Sequence, residues 1–526
     1  MKRQISNSGL LFTSVSAILG SGWLFGAYYA ASFAGPASIL SWVIGGLMII
    51  VVAFVFAEVC TMVPVTGSST RIPHLTHGTM TSFIFSWIIW LTYLALGPTE
   101  LQAVLQYLSA YFPSLMNEQG ALSTHGFVIA AGLLFIICTI NFFSIRWLTR
   151  LNSFLTIFKI IIPLIVSLVI LAYFFEPVKV IHSGGSTFAP FGLHGVLIAI
   201  SAGGVIFTFN AFKLAAEVAG EAKNPKFALP FAIIGSVVIC MILYLLLQTA
   251  FLSSITPKLL EHGWKNIGFA NKLGPFSSIA HLDNLSILNP LILVGAIIGP
   301  FAAALVYCTS ASRSIYAMSE NGYVPALFQK VTTNKNPIYG IVIFFVLGLL
   351  MFAPFQGWQA MVQFLTSLLA ITYVIAPVNC YTMRDKLPNF DRPFKLPFGK
   401  AWSLLAFFFC TLMVYWTGWE TISKACFLIM LGLGVIFIYR LTQSSSARFS
   451  WNIKESLWFW AYLVGLLVIS YCGNYGDGLG YISGAQAAVL LFVLCFVIIR
   501  LASKLSLSSA EMTQRIQNAI ELDQKQ

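Results

Sequence analysis

The stretch Ile18-Leu19-Gly20-Ser21-Gly22-Trp23-Leu24-Phe25-Gly26 has the clearest chemical potential in the chain. It lies in the middle of an apolar run, where each glycine lowers helix stability by about 1 kcal/mol relative to alanine. The glycines predict a break between two half-helices. The second half-helix would begin with free amide N–H groups at the positive end of its dipole, an arrangement that binds carboxylates. The alternative is a close helix–helix contact between small residues, and this stretch alone leaves both open.

A second irregular stretch, Gly203 to Lys213, places the polar Asn210 and the charged Lys213 inside another apolar run. A lysine at the centre of a bilayer costs at least about 2.5–3.5 kcal/mol, so Lys213 needs a partner or a function. Irregular segments at corresponding positions of two halves of a membrane protein point to a binding site near the bilayer midplane. The pair of stretches is therefore typical of a transporter with inverted repeats.

The composition requires that these stretches lie in a membrane. Of the 526 residues, 58% are hydrophobic and 9% are charged, and the mean hydropathy is +0.86. A soluble fold could not bury so much apolar surface. The nine cysteines are scattered without metal-binding spacing and are interpreted as small buried hydrophobes. No metal, cofactor or nucleophile–base cluster is predicted, so the sequence does not indicate an enzyme.

The elements that position the two stretches are about fourteen apolar runs, each close to the roughly 20 residues that a spanning helix needs. An even number of spans places both termini on the same side of the membrane. The spans are predicted near residues 10–33, 38–62, 82–108, 126–144, 151–174, 193–216, 229–253, 289–317, 338–354, 358–380, 402–419, 424–440, 457–473 and 484–501.

The net charge of +12 is explained by the predicted membrane topology and does not indicate a nucleic-acid-binding surface. Most of the 29 lysines and arginines fall between the spans on the side of the N-terminus, and few fall on the other side. Because basic loops stay in the cytoplasm, both termini are predicted to be cytoplasmic, with the chain in the plasma (inner) membrane. The basic loops are expected to contact anionic lipid, and no nucleic-acid partner is predicted.

The placement of the two irregular stretches also predicts the domain organisation. Each stretch begins a set of five spans, so residues 1–175 form a first repeat and residues 176–380 an inverted second repeat. Residues 381–502 add about four further spans, and residues 503–526 form a polar cytoplasmic tail. The inner loop 381–401 is interpreted as a simple turn, and Glu58, which ends the second span, as a structural or gating contact. The oligomeric state is not predicted.

Four motifs in order resemble the amino acid–polyamine–organocation (APC) superfamily of transporters. They are Gly20-Ser21-Gly22; Glu58 with Pro64-x-Thr66-Gly67; Lys223-Asn224-Pro225-Lys226; and Ser312-Arg313-Ser314-Ile315-Tyr316-Ala317-Met318 followed by Asn321-Gly322-x-x-Pro325. The whole chain looks most like the bacterial aspartate–proton symporters of that superfamily. The resemblance implies an all-α, LeuT-type 5+5 inverted repeat. It also implies symport of an amino acid, aspartate or glutamate, with protons. Alternatives are an exchanger of the same superfamily or a nontransporting amino acid sensor.

The resemblance also implies the substrate site. Backbone N–H groups of the first break would bind the α-carboxylate, and carbonyl groups of both breaks would accept the α-ammonium. Phe207 aligns with the aromatic gate of the family, although it is equally interpretable as a core residue. The implied substrate-binding residues are Ile18, Ser21, Gly22, Trp23, Phe207, Thr208, Asn210 and Lys213.

Lys213 departs from the family pattern, because many family exchangers carry glutamate at the matching position. An ammonium there suits an anionic substrate, so Lys213 is interpreted as the group that attracts a side-chain carboxylate. The alternatives are a pair with a glutamate such as Glu100, or a lysine that reaches water.

Lys159 and Glu100 are the candidate proton-coupling residues. Proton-coupled relatives place a lysine at the position of Lys159, where an ammonium would replace a sodium ion and release its proton when desolvated. The alternative for Lys159 is a lysine that reaches the headgroups. A glutamate within a span is a functional candidate by default, and Glu100 is predicted either to relay protons or to pair with Lys213.

Overall fold

The structure is a computed structural model of the chain. It describes residues 5–65, 67–117, 120–143, 145–217, 219–268, 274–282, 285–334, 336–353, 355, 357–442 and 451–525.

The described part of the chain contains helices and three isolated β-bridges, and no strand. The helices up to the second irregular stretch are α1 Asn7–Ile18, α2 Gly22–Ala34, α3 Ser38–Met62, α4 Ser68–Leu108, α5 Thr124–Ile140, α6 Ile145–Phe174, α7 Pro177–Ile181, α8 Gly192–Ser201, α9 Val205–Thr208 and α10 Leu214–Glu217. The remaining helices are α11 Pro225–Ser254, α12 Pro275–Leu282, α13 Asn289–Glu320, α14 Ile338–Met351, α15 Gly357–Tyr373, α16 Ile375–Lys386, α17 Gly399–Tyr415, α18 Trp419–Leu441, α19 Ile453–Cys472, α20 Gly484–Leu505 and α21 Ser509–Lys525.

The lengths of these helices match the apolar runs. Within the described ranges, nine helical segments are long and apolar enough to cross a membrane, and four shorter apolar helices of 10–17 residues accompany them. Local capping also fixes helix starts; for example, the Ser483 hydroxyl and the Gln486 side chain form a capping box at the start of α20. The prediction of an all-α polytopic membrane protein is confirmed. The number of spans and the 5+5 repeat stay predictions.

Both predicted interruptions are confirmed. Between α1 and α2, the Gly20 amide donates to the Ile18 carbonyl at 3.0 Å, which departs from the α-helical bonding pattern. Between α8 and α9, Gly204 has φ +84°, a conformation that glycine adopts without strain. α9 is only one turn long, and turns connect it to α10. Backbone groups at both breaks are therefore released from regular helix.

The broken helices lie inside the helix assembly. α1 packs against α6 and α11, and α2 packs against α8 and α11. α9 contacts α2, α3 and α15, while α4 packs along α13 and α15 outside them. The last helices form a further layer in which α17 contacts α3 and α20, and α19 contacts α4 and α20. The two breaks are thus held close together in the interior.

The clearest departure from the predicted spans occurs in α4. The apolar run predicts a span near 82–108, but α4 extends back to Ser68 and bends at Gly78, where φ is +75° and ψ −162°. A Cβ atom at Gly78 would lie 2.5 Å from Asn452 Cγ, so glycine is also required sterically. The segment Ser68–His77 was not predicted, because its polar sequence lacks the apolar periodicity on which the span prediction depends.

The polar tail forms a helix that holds this extra segment of α4. Arg515 Nη1 donates to the His74 carbonyl at 3.1 Å, and the Leu507 amide donates to the Thr76 carbonyl at 3.0 Å. Met512 of α21 is completely buried. Tertiary contacts with the C-terminus therefore compensate for the weak helical signal of the segment.

Glu58, at the end of α3, holds the loop between α16 and α17. Its carboxylate accepts hydrogen bonds from Arg384 Nε at 2.7 Å and Nη2 at 2.5 Å, and from the Leu396 amide at 2.9 Å. Arg392 Nε lies 3.7 Å from the same carboxylate. The predicted structural contact of Glu58 is confirmed, and the loop 381–401 is more than the simple turn that was predicted.

We expect Glu58→Gln to lower stability by about 3 kcal/mol, because removing one partner of a buried ion pair leaves an uncompensated charge. Glu58 is 2% exposed and Arg384 13% exposed at their side chains. Thermal inactivation in detergent measures the effect. The matched control is Glu176→Gln, which removes the exposed pair with Lys179 and should cost less than about 1 kcal/mol. If Glu58→Gln and Glu176→Gln lowered thermal stability equally, a stabilising role of Glu58 would be contradicted.

Candidate functional site

The amides of the first break already bind a carboxylate from the protein itself. The Ser21 N–H donates to Glu100 Oε2 at 2.6 Å, and a Cβ atom built on Gly20 would lie 2.5 Å from Glu100 Oε1. Both Ser21 and Glu100 are buried. The Gly22 and Trp23 amides belong to the first turn of α2, where N–H groups have no acceptor within the helix. The break therefore has the donors and the polarity that a carboxylate requires, as predicted from Gly20–Gly22.

The two breaks are in direct contact. A Cβ atom on Gly22 would lie 2.5 Å from Thr208 Cγ2, so the start of α2 can approach α9 only because residue 22 is glycine. The Tyr244 hydroxyl of α11 lies 3.3 Å from the Ile18 carbonyl and 3.4 Å from the Thr208 carbonyl. Two of the carbonyls that were predicted to accept the substrate ammonium, those of Ile18 and Thr208, thus lie close to the same Tyr244 hydroxyl group.

Asn210 organises the second break. Its Nδ2 donates to the Phe207 carbonyl at 2.8 Å, and its Oδ1 accepts a hydrogen bond from the Tyr307 hydroxyl at 2.9 Å. The Tyr373 hydroxyl donates to the Asn210 carbonyl at 2.9 Å. The Asn210 carbonyl keeps a second lone pair for a further donor, whereas the Phe207 carbonyl also accepts from the Asn210 backbone amide at 3.0 Å. The Asn210 side chain therefore stabilises the non-helical turn whose carbonyls were assigned to the ammonium.

Tyr244, Tyr307 and Tyr373 were not found by the sequence reasoning. They come from α11, α13 and α15, and all three are buried. Tyrosine hydroxyls buried in a protein usually find a hydrogen-bond partner, so single tyrosines in the middle of otherwise apolar spans were the available signal.

An aromatic cluster covers the breaks beside Ser21. The Phe207 ring is perpendicular to the Trp358 ring, with centroids 5.5 Å apart. Trp358 also contacts the rings of Phe25 at 5.0 Å and Tyr29 at 5.6 Å, and its Nε1 donates to Ser21 Oγ at 2.7 Å. Phe207 therefore lies beside both breaks, and its role as an aromatic gate stays a prediction. Trp358, which contacts both breaks, was not found by the sequence reasoning.

Trp23 directly follows the first break, but its side chain packs against other helices. Its ring stacks on Phe276 of α12 at a centroid distance of 6.2 Å, and a Cβ atom on Gly295 would lie 2.9 Å from its ring. The Trp23 side chain thus fills space between α2, α12 and α13, and only its backbone amide remains a candidate for the carboxylate.

Lys159 of α6 is buried against α1, the helix that precedes the first break. Its Nζ donates to the Ser16 carbonyl of α1 at 2.6 Å, and its ammonium interacts electrostatically with Glu100. A lysine that reached the headgroups would be exposed, whereas Lys159 is only 3% exposed. The structure therefore brings the two candidate proton-coupling residues, Lys159 and Glu100, to the same break.

Lys213 lies apart from Glu100. Its Nζ donates to Thr372 Oγ1 at 2.9 Å and lies over the rings of Tyr373, at 5.4 Å from the centroid, and Tyr93, at 5.7 Å. Its electrostatic partner is Glu217, four residues further along the chain. Of the two glutamates, Glu217 rather than Glu100 acts electrostatically on Lys213, and Lys213 is buried rather than open to water.

The candidate site is made of backbone groups, aromatic rings and a few buried charged side chains. In the described ranges, no group of three histidine, cysteine or acidic side chains is arranged to hold a metal ion. The arrangement can bind a zwitterion: amides for its carboxylate, carbonyls for its ammonium, and rings around its apolar part.

Comparison with known proteins identifies the family. The amino acid permease family matches residues 5–437. The chain is 32% identical over 485 residues to the glutamate/serine transporter AimA of Bacillus subtilis (strain 168), covering 90% of this chain and 88% of the relative. It is 31% identical over 498 residues to the aspartate-proton symporter of the same organism, covering 94% of each. It is 27% identical over 395 residues to cationic amino acid transporter 4 of Mus musculus, covering 72% of this chain and 59% of the relative.

These relatives are transporters rather than enzymes, and their family agrees with the apolar helices described above. The chain therefore belongs to the amino acid permeases of the APC superfamily, which are multi-pass membrane transporters.

Proposed function

We propose that this permease imports an acidic amino acid, aspartate or glutamate, together with protons. The observation that carries the proposal is the hydrogen bond of 2.6 Å between the buried Ser21 amide and the Glu100 carboxylate. It indicates that the first break attracts a carboxylate, the group that every amino acid substrate offers. The names of two relatives, an aspartate-proton symporter and a glutamate/serine transporter, support the substrate class.

In this proposal, the substrate α-carboxylate binds at the start of α2 beside Glu100 and replaces the Glu100 carboxylate as the acceptor of the Ser21 amide. Ser21, Gly22 and Trp23 supply amide donors, while the carbonyls of Ile18, Phe207, Thr208 and Asn210 accept the α-ammonium. The contact between Gly22 and Thr208 supports this division, because it brings the donors and the acceptors within the length of one amino acid backbone.

The position of Glu100 at the first break offers a physical reason why substrate binding would be coupled to proton uptake. A substrate carboxylate adds a second negative charge next to the buried Glu100, and two carboxylates that share a site cannot easily both be ionised. We propose that a proton enters with the substrate and is held by Glu100 or Lys159, whose charges interact. Release of the substrate would restore the original charge balance and free the proton.

We propose the LeuT-type architecture for the membrane domain, with residues 1–175 and 176–380 as inverted repeats and residues 381–502 as additional spans. The confirmed breaks at the first helix of each proposed repeat support this division. Both termini would be cytoplasmic in the plasma membrane, because most basic residues lie on that side of the proposed topology.

Uptake into proteoliposomes tests the function. With an acidic exterior, the purified protein should accumulate labelled aspartate or glutamate without sodium, and collapse of the pH gradient should stop accumulation. Uptake that requires sodium and ignores pH would contradict proton coupling. Uptake that occurs only when the liposomes are preloaded with amino acid would identify an exchanger. Binding without any flux would identify a sensor.

Lys213 is proposed to attract the side-chain carboxylate of the substrate. A hydrogen bond to a charged group contributes about 1.5–3 kcal/mol, so Lys213→Met should raise KM for the acidic amino acid about 10-fold or more, and Lys213→Glu should abolish its uptake. Transport of neutral amino acids, where the unaltered protein shows any, should remain. If Lys213 only neutralises Glu217, both variants should impair all substrates equally, and unchanged acidic uptake in Lys213→Glu would also contradict the proposal.

A further inference from the structure

Trp358, near the start of α15, is the side chain of this helix that touches both broken helices. Its indole N–H donates to Ser21 Oγ in the first break at 2.7 Å. On the second broken helix, its ring meets Phe207, and a Cβ atom on Gly204 would lie 3.4 Å from its Cη2. The side chain is completely buried. Trp358 therefore bridges the segments that were assigned to the substrate carboxylate and to the substrate ammonium.

The direction of the hydrogen bond determines what Ser21 can do. An indole nitrogen only donates, so Ser21 Oγ has to accept from Trp358, and the Ser21 hydroxyl hydrogen is directed elsewhere. The Glu100 carboxylate interacts with this hydroxyl group as well as with the Ser21 amide. Trp358 therefore fixes the Ser21 oxygen as an acceptor and leaves the hydroxyl hydrogen available to a carboxylate such as that of Glu100.

The ring of Trp358 is also part of the aromatic cluster that it forms with Phe207, Phe25 and Tyr29. Tyr29 stacks on it with an interplanar angle of 17°, and Phe25 lies at a centroid distance of 5.0 Å. The Trp358 backbone N–H donates to Gln106 Oε1 of α4 at 3.3 Å. The indole is thus held by two aromatic rings of α2, and the backbone at Trp358 is held by α4.

We propose that Trp358, by donating to Ser21 Oγ, holds the Ser21 side chain in the orientation that directs its hydroxyl hydrogen to a carboxylate: that of Glu100 in this structure, and the substrate α-carboxylate when the site is occupied. The inference rests on the proposed binding of the substrate carboxylate at the first break, but not on which amino acid is carried. Trp358 acts through Ser21 and is a positioning residue, since its nitrogen contacts the serine rather than the substrate.

A double-mutant cycle tests this role. The variants are Trp358→Phe, which keeps an aromatic ring without the donor, Ser21→Ala, and the two combined. KM is measured with an amino acid that the unaltered protein takes up. We expect each single change to raise KM about 10-fold, and the double variant to be no worse than Ser21→Ala alone. Multiplicative effects, or an unchanged KM in Trp358→Phe, would overturn the proposal.

Trp87→Phe is the matched control, because the buried Trp87 donates to a carbonyl of α18, Leu428, at 2.9 Å. Its KM should stay within twofold of that of the unaltered protein. An equal rise in KM for this control would mean that loss of any indole hydrogen bond impairs the protein, and would also overturn the proposal.

Inhibition by substrate analogues provides a second readout that requires no fast transport. In an analogue whose α-carboxylate is replaced by a carboxamide, the charge that Ser21 faces is missing. Trp358→Phe should weaken inhibition by the carboxylate form about 10-fold and inhibition by the carboxamide by less than threefold. Equal weakening of both would assign Trp358 to packing alone. If the unaltered protein binds neither acidic substrates nor any other amino acid, the proposed function fails rather than the role of Trp358.

Discussion

Replacing Lys159 by alanine is expected to reduce substrate accumulation driven by a pH gradient by about 100-fold or more. The Lys159 ammonium donates to the Ser16 carbonyl and interacts with the buried Glu100. Its removal leaves the Glu100 carboxylate uncompensated, at a cost of about 3 kcal/mol, which corresponds to a factor of about 100. Initial rates and steady-state accumulation in proteoliposomes with an acidic exterior measure the effect.

The charge balance can be tested separately from the loss of the lysine. A double variant, Lys159→Ala with Glu100→Gln, removes both charges, and we expect it to recover exchange of labelled for unlabelled substrate while gradient-driven accumulation stays absent. Lys179→Ala is the control, because Lys179 is an exposed lysine that pairs with the exposed Glu176. Normal gradient-driven accumulation by Lys159→Ala would exclude Lys159 from proton coupling.

Gly22→Ala is expected to reduce substrate uptake by a factor similar to that expected for Lys159→Ala. The new Cβ atom would lie 2.5 Å from Thr208 Cγ2 and 3.0 Å from Thr208 Cβ, so α2 and α9 must separate. Inserting a methyl group into a packed interior costs about 1–3 kcal/mol, and here the displacement also moves the amides away from the carbonyls that complete the site. Uptake is compared at equal amounts of reconstituted protein.

A compensating change provides the decisive control. Thr208→Ser removes the Cγ2 atom that the new methyl group would meet, so the pair Gly22→Ala with Thr208→Ser should recover part of the uptake. Gly434→Ala in α18 is the matched control, since a Cβ atom there would have no neighbour within 4 Å. Failure of Thr208→Ser to improve Gly22→Ala would show that the defect arises from helix propensity instead of the contact.

The sequence predicted the breaks because their cause is local. Glycines at residues 20, 22 and 204 weaken helix where they stand, and a polar Asn210 inside an apolar run is visible without knowledge of the fold. The extra segment of α4 escaped prediction because its helix depends on contacts with α21, which follows several hundred residues later.

The side chains that complete the site could not be predicted for the same reason. Trp358 meets Ser21 across 337 positions of sequence, and Tyr307 meets Asn210 across 97. A tyrosine within an apolar span, such as Tyr307, indicates that a hydrogen-bond partner exists but does not identify that partner, and the local sequence does not distinguish Trp358 from the other tryptophans of the chain. For Lys213, the sequence reasoning named Glu100 as an example of a glutamate partner and did not consider Glu217, although Glu217 lies one helical turn away and its amide donates to the Lys213 carbonyl at 3.3 Å.

The contact of Glu58 with the loop after α16 has a consequence for attempts to shorten the protein. A ten-span version that ended near Lys386 would appear sufficient to contain both proposed repeats. It would also discard Leu396, whose amide binds Glu58 at 2.9 Å, and leave the carboxylate with fewer donors at the rim of α3. A minimal version of this permease therefore has to retain the chain at least to the start of α17.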